Sequence, residues 1–389
     1  LISPPLSSLL PISTVRVRAM TVGYNLDVSK NGWANAFKVL FRWEGSIWRL
    51  IWKELLLWLF GYYAIMVLYR SEWILNPDGQ RTFERLAHHI GTRIDWIPLT
   101  FILAFFVNII VNRWSRIIDN MGYIENSALT VAMTVRGTDE KDILARRAMV
   151  RWLCLSQVLV FRDISLRVRK RFPNLDTIVQ AGFLEENEKV IYEELDVDAN
   201  KYWLPINWAC SLAFELRDTN NVKSEPALMQ LLVEFKNFRT SLQTLCNFDW
   251  VPVPLAYPQV VFFAVRAYFL LALIGRQYII GNEAQNKAVV DIGFPLMTVL
   301  QFVFYVGWMK VAESLLNPLG EDHDHFESNS LIDKNIAIAL AIVDDTHGKV
   351  PERKMDQFKT QQAPMYPENA VPRVLNHNTQ FAGSAAHLM

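Results

Sequence analysis

Apolar residues gather into four long runs separated by charged, mostly polar stretches. Leu55–Tyr69 carries no charge and extends backwards through Ile47, Trp48, Leu50, Ile51 and Trp52, with Arg49 and Lys53 placed to snorkel. Trp96–Asn112 is uncharged between Asp95 and Arg113; Trp250–Gly275 is apolar except for Arg266; Ile292–Met309 is uncharged between Asp291 and Lys310. A span needs roughly 20 residues, so one such run alone would equally suit a buried core helix. Four runs flanked by Trp and Tyr predict four membrane-spanning helices. Arg42, Arg49 and Lys53 precede the first run, Arg113 and Arg116 follow the second, and Lys310 follows the last. This asymmetry predicts a multi-pass cell-membrane protein with both termini cytosolic and with outside loops at 70–95 and 276–291.

Residues 113–249 show helical periodicity. Arg136–Arg171 holds ten Lys or Arg against four acids, and Glu185–Asp198 seven acids against one Lys. The expected arrangement is a helical cytosolic domain with mutually paired surface charges; an anion vestibule is the alternative destination for part of the basic set. Composition agrees: 51% of residues are hydrophobic, 13 are Trp and 23 are Phe, while 20% are charged. Formal charge is zero, so no global field points to nucleic acid. Cys154, Cys210 and Cys246 lie far apart and form no CxxC pair, which argues against a disulfide-built ectodomain. Leu1–Ala19, rich in Pro, Ser and Leu, reads as a disordered upstream extension, and the tail from about Lys349 reads as disordered too.

Chemistry concentrates in two places. Within the second run, Ile97, Phe101 and Phe105 recur every four residues, with Pro98 in the first helical turn, and the stripe reaches Asn108 and Asn112 within roughly 60°. That is an apolar neck opening onto amides, or a helix-packing stripe. The asparagines favour the neck, because amides in a membrane need partners or water. The second place is the end of the fourth run, where Asn317-Pro318-Leu319-Gly320 stops the helix and Glu321-Asp322-His323-Asp324-His325-Phe326-Glu327 follows. Carboxylates this dense are either solvated or neutralised by a hard cation such as calcium. Arg266, alone in the third run, requires protein or water around it. It is a lumen-facing charge or, preferably, a structural partner to an acid such as Asp291. No HExxH, GxSxG or P-loop spacing is present, so a membrane-anchored metalloenzyme using His323 and His325 has little support and no enzyme is expected.

Several phrases together resemble the bestrophin family, in the manner of an invertebrate member: Trp43-Glu44-Gly45-Ser46-Ile47, Ile97-Pro98 through Arg113-Trp114, Lys170-Arg171-Phe172-Pro173, Val179-Gln180-Ala181-Gly182-Phe183, Phe248-Asp249-Trp250, Gly275-Arg276-Gln277, and Phe304-Tyr305-Val306-Gly307-Trp308 leading into the acidic run. The resemblance covers roughly residues 20–345. It implies an all-α, calcium-gated channel for chloride and other monovalent anions, a homopentamer closed around one pore in the lipid bilayer. It places Ile97, Phe101 and Phe105 on the family's neck and suggests a second, cytosolic constriction near Pro226 and Met229. For calcium it implies carbonyls of Ser29, Ser314 and Asn317 with the carboxylate of Asp322. The second carboxylate position falls on His325, a poor calcium ligand, so either Asp324 or Glu321 substitutes by a small shift or the site is weakened. Zinc is the alternative metal, and a non-conducting scaffold that regulates other channels is the alternative function. The implied divisions are 20–54, 55–112 with spans 1 and 2, 113–249 cytosolic, 250–316 with spans 3 and 4, and 317–348 with the calcium segment and a last helix.

Overall fold

The computed structural model describes residues 33–71, 73–281, 284, 287, 293–321, 325–356 and 359. The expectations for residues 1–19, for most of the tail and for Ser29, Asp322 and Asp324 lie outside the described residues. The described chain is helical, with one isolated β-bridge between Ile279 and Lys287. It divides into two compact units: Trp43–Met121 with Thr244–His325, and Gly122–Gln243 with the residues on either side of the first unit.

Helix α1 is Trp33–Leu40, and the first unit then begins with α2 (Ile47–Arg70), α3 (Pro77–Arg93), a 3-10 turn (Ile94–Trp96) and α4 (Leu99–Asp119). The second unit supplies α5 (Glu125–Thr134), α6 (Glu140–Ile164), α7 (Leu166–Arg171), α8 (Leu175–Gln180), α9 (Glu186–Glu194) and α10 (Leu204–Asp218). The chain continues through α11 (Glu225–Trp250), α12 (Ala256–Gly275), α13 (Leu296–Leu315) and α14 (Ser328–Leu340), which ends in a π turn (Ala341–Asp345).

Local chemistry sets the helix starts. Gly45 takes a positive φ of 67°, and Ser46 then caps α2, its hydroxyl donating to the Trp43 carbonyl (2.8 Å) and accepting from the Arg49 amide. The Gly-Ser pair of the first motif is thus a turn and a cap. Proline at 77 opens α3, where the missing N–H costs nothing. Pro98 and Pro295 sit just before α4 and α13. Pro252 and Pro254 delay α12 to Ala256, so the third apolar run is divided: Trp250 closes α11, and the helix begins six residues later than the run.

Helices α2, α4 and α12 are long and apolar enough to cross a membrane. The expected outside loop at 70–95 instead contains α3, packed on α12 where Gly91 and Gly275 meet: a Cβ on Gly91 would lie 2.8 Å from the Gly275 carbonyl oxygen. Lipid offers no hydrophobic drive for helices to associate, so shape and polar contacts must hold this unit. Trp58, Tyr62, Phe106, Phe269 and Phe302 interlock at its centre. The rings of Phe269 and Phe302 lie 4.8 Å apart, and the Trp58 indole donates to the Phe269 carbonyl at 2.8 Å. A chain of charges supplements them. The Glu54 carboxylate of α2 receives Lys310 of α13 at 3.0 Å and Arg266 of α12 at 3.3 Å, and Lys310 also reaches Glu313 at 2.9 Å. Arg266 is therefore the structural partner of an acid, but the acid is Glu54; Asp291 lies outside the described residues.

The second unit is built around α6, which is buried on most of its circumference and packs against α10 and α14. Arg146, 2% exposed, donates to the carbonyls of Val135, Gly137 and Val343. Asn335 of α14 donates to Gly122 O (2.7 Å) and to Gln157 of α6 (2.9 Å). Four of the ten basic residues in the run form the expected ion pairs: Arg147 with Asp344, Arg151 with Glu188, Arg167 with Glu327 and Arg171 with Asp333.

Two outcomes follow from these charges. Burial of Glu188 pushes its carboxyl upward, but the Arg151 guanidinium (2.6 Å on each oxygen), the Glu185 amide and the Trp152 indole outweigh it and hold the group below the usual carboxylate range. Lys334 acts likewise on Glu125. A depressed folded-state value stabilises the fold above the unfolded value of about 4.3, and that stability is lost as pH falls through the folded value. Glu188→Gln should therefore lower the melting temperature most at neutral pH, with the gap to wild type closing below about pH 4. Thermal denaturation of solubilised protein against pH measures this. Glu54→Gln leaves the nearly buried Lys310 short of a carboxylate and should cost about 2–3 kcal/mol; Arg266→Gln, at a side chain 52% exposed, should cost clearly less in the same assay.

Candidate functional site: a neck helix and an acidic turn

Helix α4 is two-faced. Leu99, Leu103, Phe106, Val107 and Ile110 are buried against the first unit's core, while Phe101 (64%) and Phe105 (54%), with Asn108 and Asn112, stand on the open side. The Phe101 and Phe105 rings meet edge-on with centroids 4.7 Å apart, and the Asn112 side-chain amide donates to Asn108 Oδ1 at 3.4 Å. Four of the five stripe residues therefore share an unpacked face. Ile97 departs from the expectation. It precedes the helix in an extended conformation (φ −78°, ψ 110°), half-buried against the core, and Pro98 lies just outside the first turn. The residue before a proline is pushed out of the α region, so the helix starts at Leu99. Ile97 remains next to the stripe in the chain but owes its position to the 3-10 turn, whose Ile94 carbonyl accepts the Ile97 amide at 3.3 Å.

Beside the two phenylalanines lies an apolar cleft of about 930 Å³, bounded by Ile102 and Ile109 of α4 and by Tyr257 and Val260 of α12. Two arginines lie beside α4, Arg113 within the helix and Arg276 next to the turn that precedes it. Arg113 donates to the carbonyls of Phe248 and Val251 and lies over the Phe248 ring at 5.0 Å. The Phe-Asp-Trp phrase thus supplies the docking point for the far end of α4. At the near end, Arg276 ion-pairs with Asp95 at 3.0 Å, its own carbonyl accepting from the Tyr62 hydroxyl at 3.3 Å. Gln277 donates to the carbonyls of Tyr62 and Leu273. The Gly-Arg-Gln phrase was the signal available for this contact. Pro226 and Met229 sit in the first turn of α11, both exposed.

The acidic turn begins where α13 ends. The Ser314 carbonyl cannot receive the usual helical bond, because the residue four positions on is Pro318, which has no N–H. The Asn317 carbonyl accepts a long 3.4 Å contact from the Gly320 amide. Oxygen donors at the negative end of a helix suit a hard cation, so the described part of the implied set fits calcium. Glu321 is exposed, while His325 is 8% exposed, its ring nitrogen 2.5 Å from where a Cβ on Gly320 would stand. His325 is thus packed onto the turn's backbone. Among the described residues no three His, Cys, Asp or Glu side chains are grouped to hold a metal; Asp322 and Asp324 lie outside that set.

Residues 20–345 match the family described as "Bestrophin, RFP-TM, chloride channel". The chain is 47% identical over 350 residues to Bestrophin homolog 24 of Caenorhabditis elegans, covering 90% of this chain and 55% of that protein. It is 45% identical over 370 residues to Bestrophin homolog 17 of the same organism, covering 94% and 75%. The chain therefore spans little more than half the length of the first of these relatives. Among solved structures, a bacterial bestrophin homologue from Klebsiella pneumoniae superposes with a TM-score of 0.57 at 18% identity, covering 77% of this chain and 100% of that one; at that identity the likeness speaks for the fold. With a family match across most of its length and relatives sharing nearly half its residues, this chain belongs to the bestrophin family.

Proposed function

We propose that this protein is a calcium-gated anion channel of the cell membrane, a homopentamer whose α4 helices surround one pore. The observation that carries the reading is the open face of α4, where the Phe101–Phe105 pair is followed by the Asn108–Asn112 pair. In a closed ring such faces meet on the axis, and each chain supplies one stave. Helix α13 is the fourth span, its Lys310 compensated by Glu54 and by its own Glu313, and both termini lie in the cytosol.

An apolar neck makes an ion shed part of its hydration shell and gates by dewetting. Large, weakly hydrated anions lose least on entry, and the positively polarised edges of the phenylalanine rings favour anions over cations without any fixed charge. Beyond the rings the asparagine amides offer N–H donors that restore solvation. Pro226 and Met229 form the second, cytosolic constriction.

Calcium supplies the gating charge. Its holders are the carbonyls of Ser29, Ser314 and Asn317 and the carboxylate of Asp322, with Asp324 or Glu321 filling the position that His325 occupies by alignment with the family. The Pro318 effect on Ser314 supports this set, because it leaves a carbonyl oxygen directed away from the helix without its usual donor.

Purified protein in planar bilayers, with a chloride gradient and calcium stepped on one side, tests the proposal. Wild type should carry calcium-dependent chloride current; silence under all calcium concentrations would favour a non-conducting scaffold. Replacing Ile97, Phe101 and Phe105 together by Ala should give calcium-independent current, since the dewetting barrier is removed. Retained calcium dependence in that variant would make the stripe a packing surface. In the acidic turn, Asp322→Ala should abolish the calcium response with assembly intact, and His325→Asp should lower the half-activating calcium concentration by adding an oxygen ligand. A normal calcium response in Asp322→Ala would reduce the cluster to a solvated loop.

A further inference from the structure

The neck has a charged doorstep. Asp95 stands in the 3-10 turn two residues before Ile97, its side chain 68% exposed, and Arg276 caps the end of α12 with a side chain 32% exposed. The two are 3.0 Å apart. They are not equally held. Arg276 is fixed from behind by Tyr62, whose hydroxyl donates to its carbonyl, and its neighbour Gln277 is tied to the Tyr62 and Leu273 carbonyls. Asp95 rides on a short turn and points outward. The third charge here is Arg93, which stacks over Trp96 at 5.7 Å and bonds His89 at 2.6 Å.

An ion pair this exposed contributes little to stability, because water competes for both partners. Its electrostatic effect on a passing ion is larger. A lone carboxylate at the entry repels anions; with a guanidinium at 3.0 Å the two cancel beyond their own separation, leaving only a short-range dipole. Among the described residues Asp95 is the acid that pairs with Arg276, whose side chain also contacts the Tyr268 hydroxyl. Any imbalance is repeated once per subunit around the ring.

We propose that Asp95 and Arg276 form a charge-compensated ring at the entry of the neck and set how readily anions enter from that side. The inference rests on the channel reading above. Asp95 is the restraining member and Arg276 the attracting one, so removing either should move anion entry in opposite directions. Removing both should return it close to the start.

Single-channel conductance of the purified protein in planar bilayers, read with chloride entering from the Asp95 side, tests this at two salt concentrations. At roughly 20 mM salt, where screening extends well beyond 10 Å, Asp95→Asn should raise conductance about twofold or more and Arg276→Gln should lower it by a similar factor. At roughly 1 M salt, where the Debye length is about 3 Å, both should approach wild type. The double variant D95N/R276Q should conduct like wild type at low salt, a rescue that a purely structural role of Arg276 would not produce. Because the Asp95 side chain is largely exposed, Asp95→Asn remains decisive even if Arg276→Gln assembles poorly. Wild-type conductance in Asp95→Asn at low salt, or an Arg276→Gln defect that persists at high salt and in the double variant, overturns the inference while leaving the channel reading intact. A wild-type protein that passes no current overturns both.

Discussion

Everything in the membrane-spanning unit depends on one constraint: in lipid, helices gain nothing from merely being apolar and must be held by fit and by satisfied polar groups. The Glu54 carboxylate meets the second condition by receiving charges from two other helices, α12 and α13. The aromatic interlock of Trp58, Phe269 and Phe302 meets the first. With α12 and α13 both packed on α4, one side of that helix is fully used, and the side bearing Phe101, Phe105, Asn108 and Asn112 is left open. The candidate pore face is what remains after the core has taken the rest.

Prolines determine how the neck is framed. Pro98 places the start of α4 after Ile97 instead of before it, and this divides the proposed neck stripe between two elements. Phe101 and Phe105 are carried rigidly by α4, whereas Ile97 follows the 3-10 turn that also carries Asp95. Pro318 acts at the other candidate site by depriving the Ser314 carbonyl of its helical donor, the feature on which the proposed cation site draws.

The second unit follows the rules of a water-soluble core. Its buried charges are individually satisfied: Arg146 by three carbonyls, Glu188 by a guanidinium, an indole and an amide. The excess of basic residues between Arg136 and Arg171 is largely spent on acids from α9, α14 and the segments beside them. That leaves α4 and its surroundings as the better place to look for anion chemistry.

Much of this was legible in the chain itself. Periodicity 3.6, uncharged runs and Trp-rich flanks predict four membrane-crossing helices, of which three, α2, α4 and α12, are long and apolar enough among the described residues; α13, which carries Lys310 and Glu313, is not among them. The motifs that carry the family resemblance, and the alternation from phenylalanines to asparagines along α4, are equally properties of sequence. Tertiary structure decided the partners. Nothing in the order of residues says that Arg266 chooses Glu54, more than 200 positions away, or that Arg276 turns to Asp95 and Arg113 to the carbonyls of Phe248 and Val251. Likewise, the reach of Pro98 over Ile97 was visible locally, but whether Ile97 stays beside the stripe depends on the turn and core that hold it. Local propensity is written in neighbouring residues; which charges meet across helices depends on how the helices pack, and packing is a property of the whole unit.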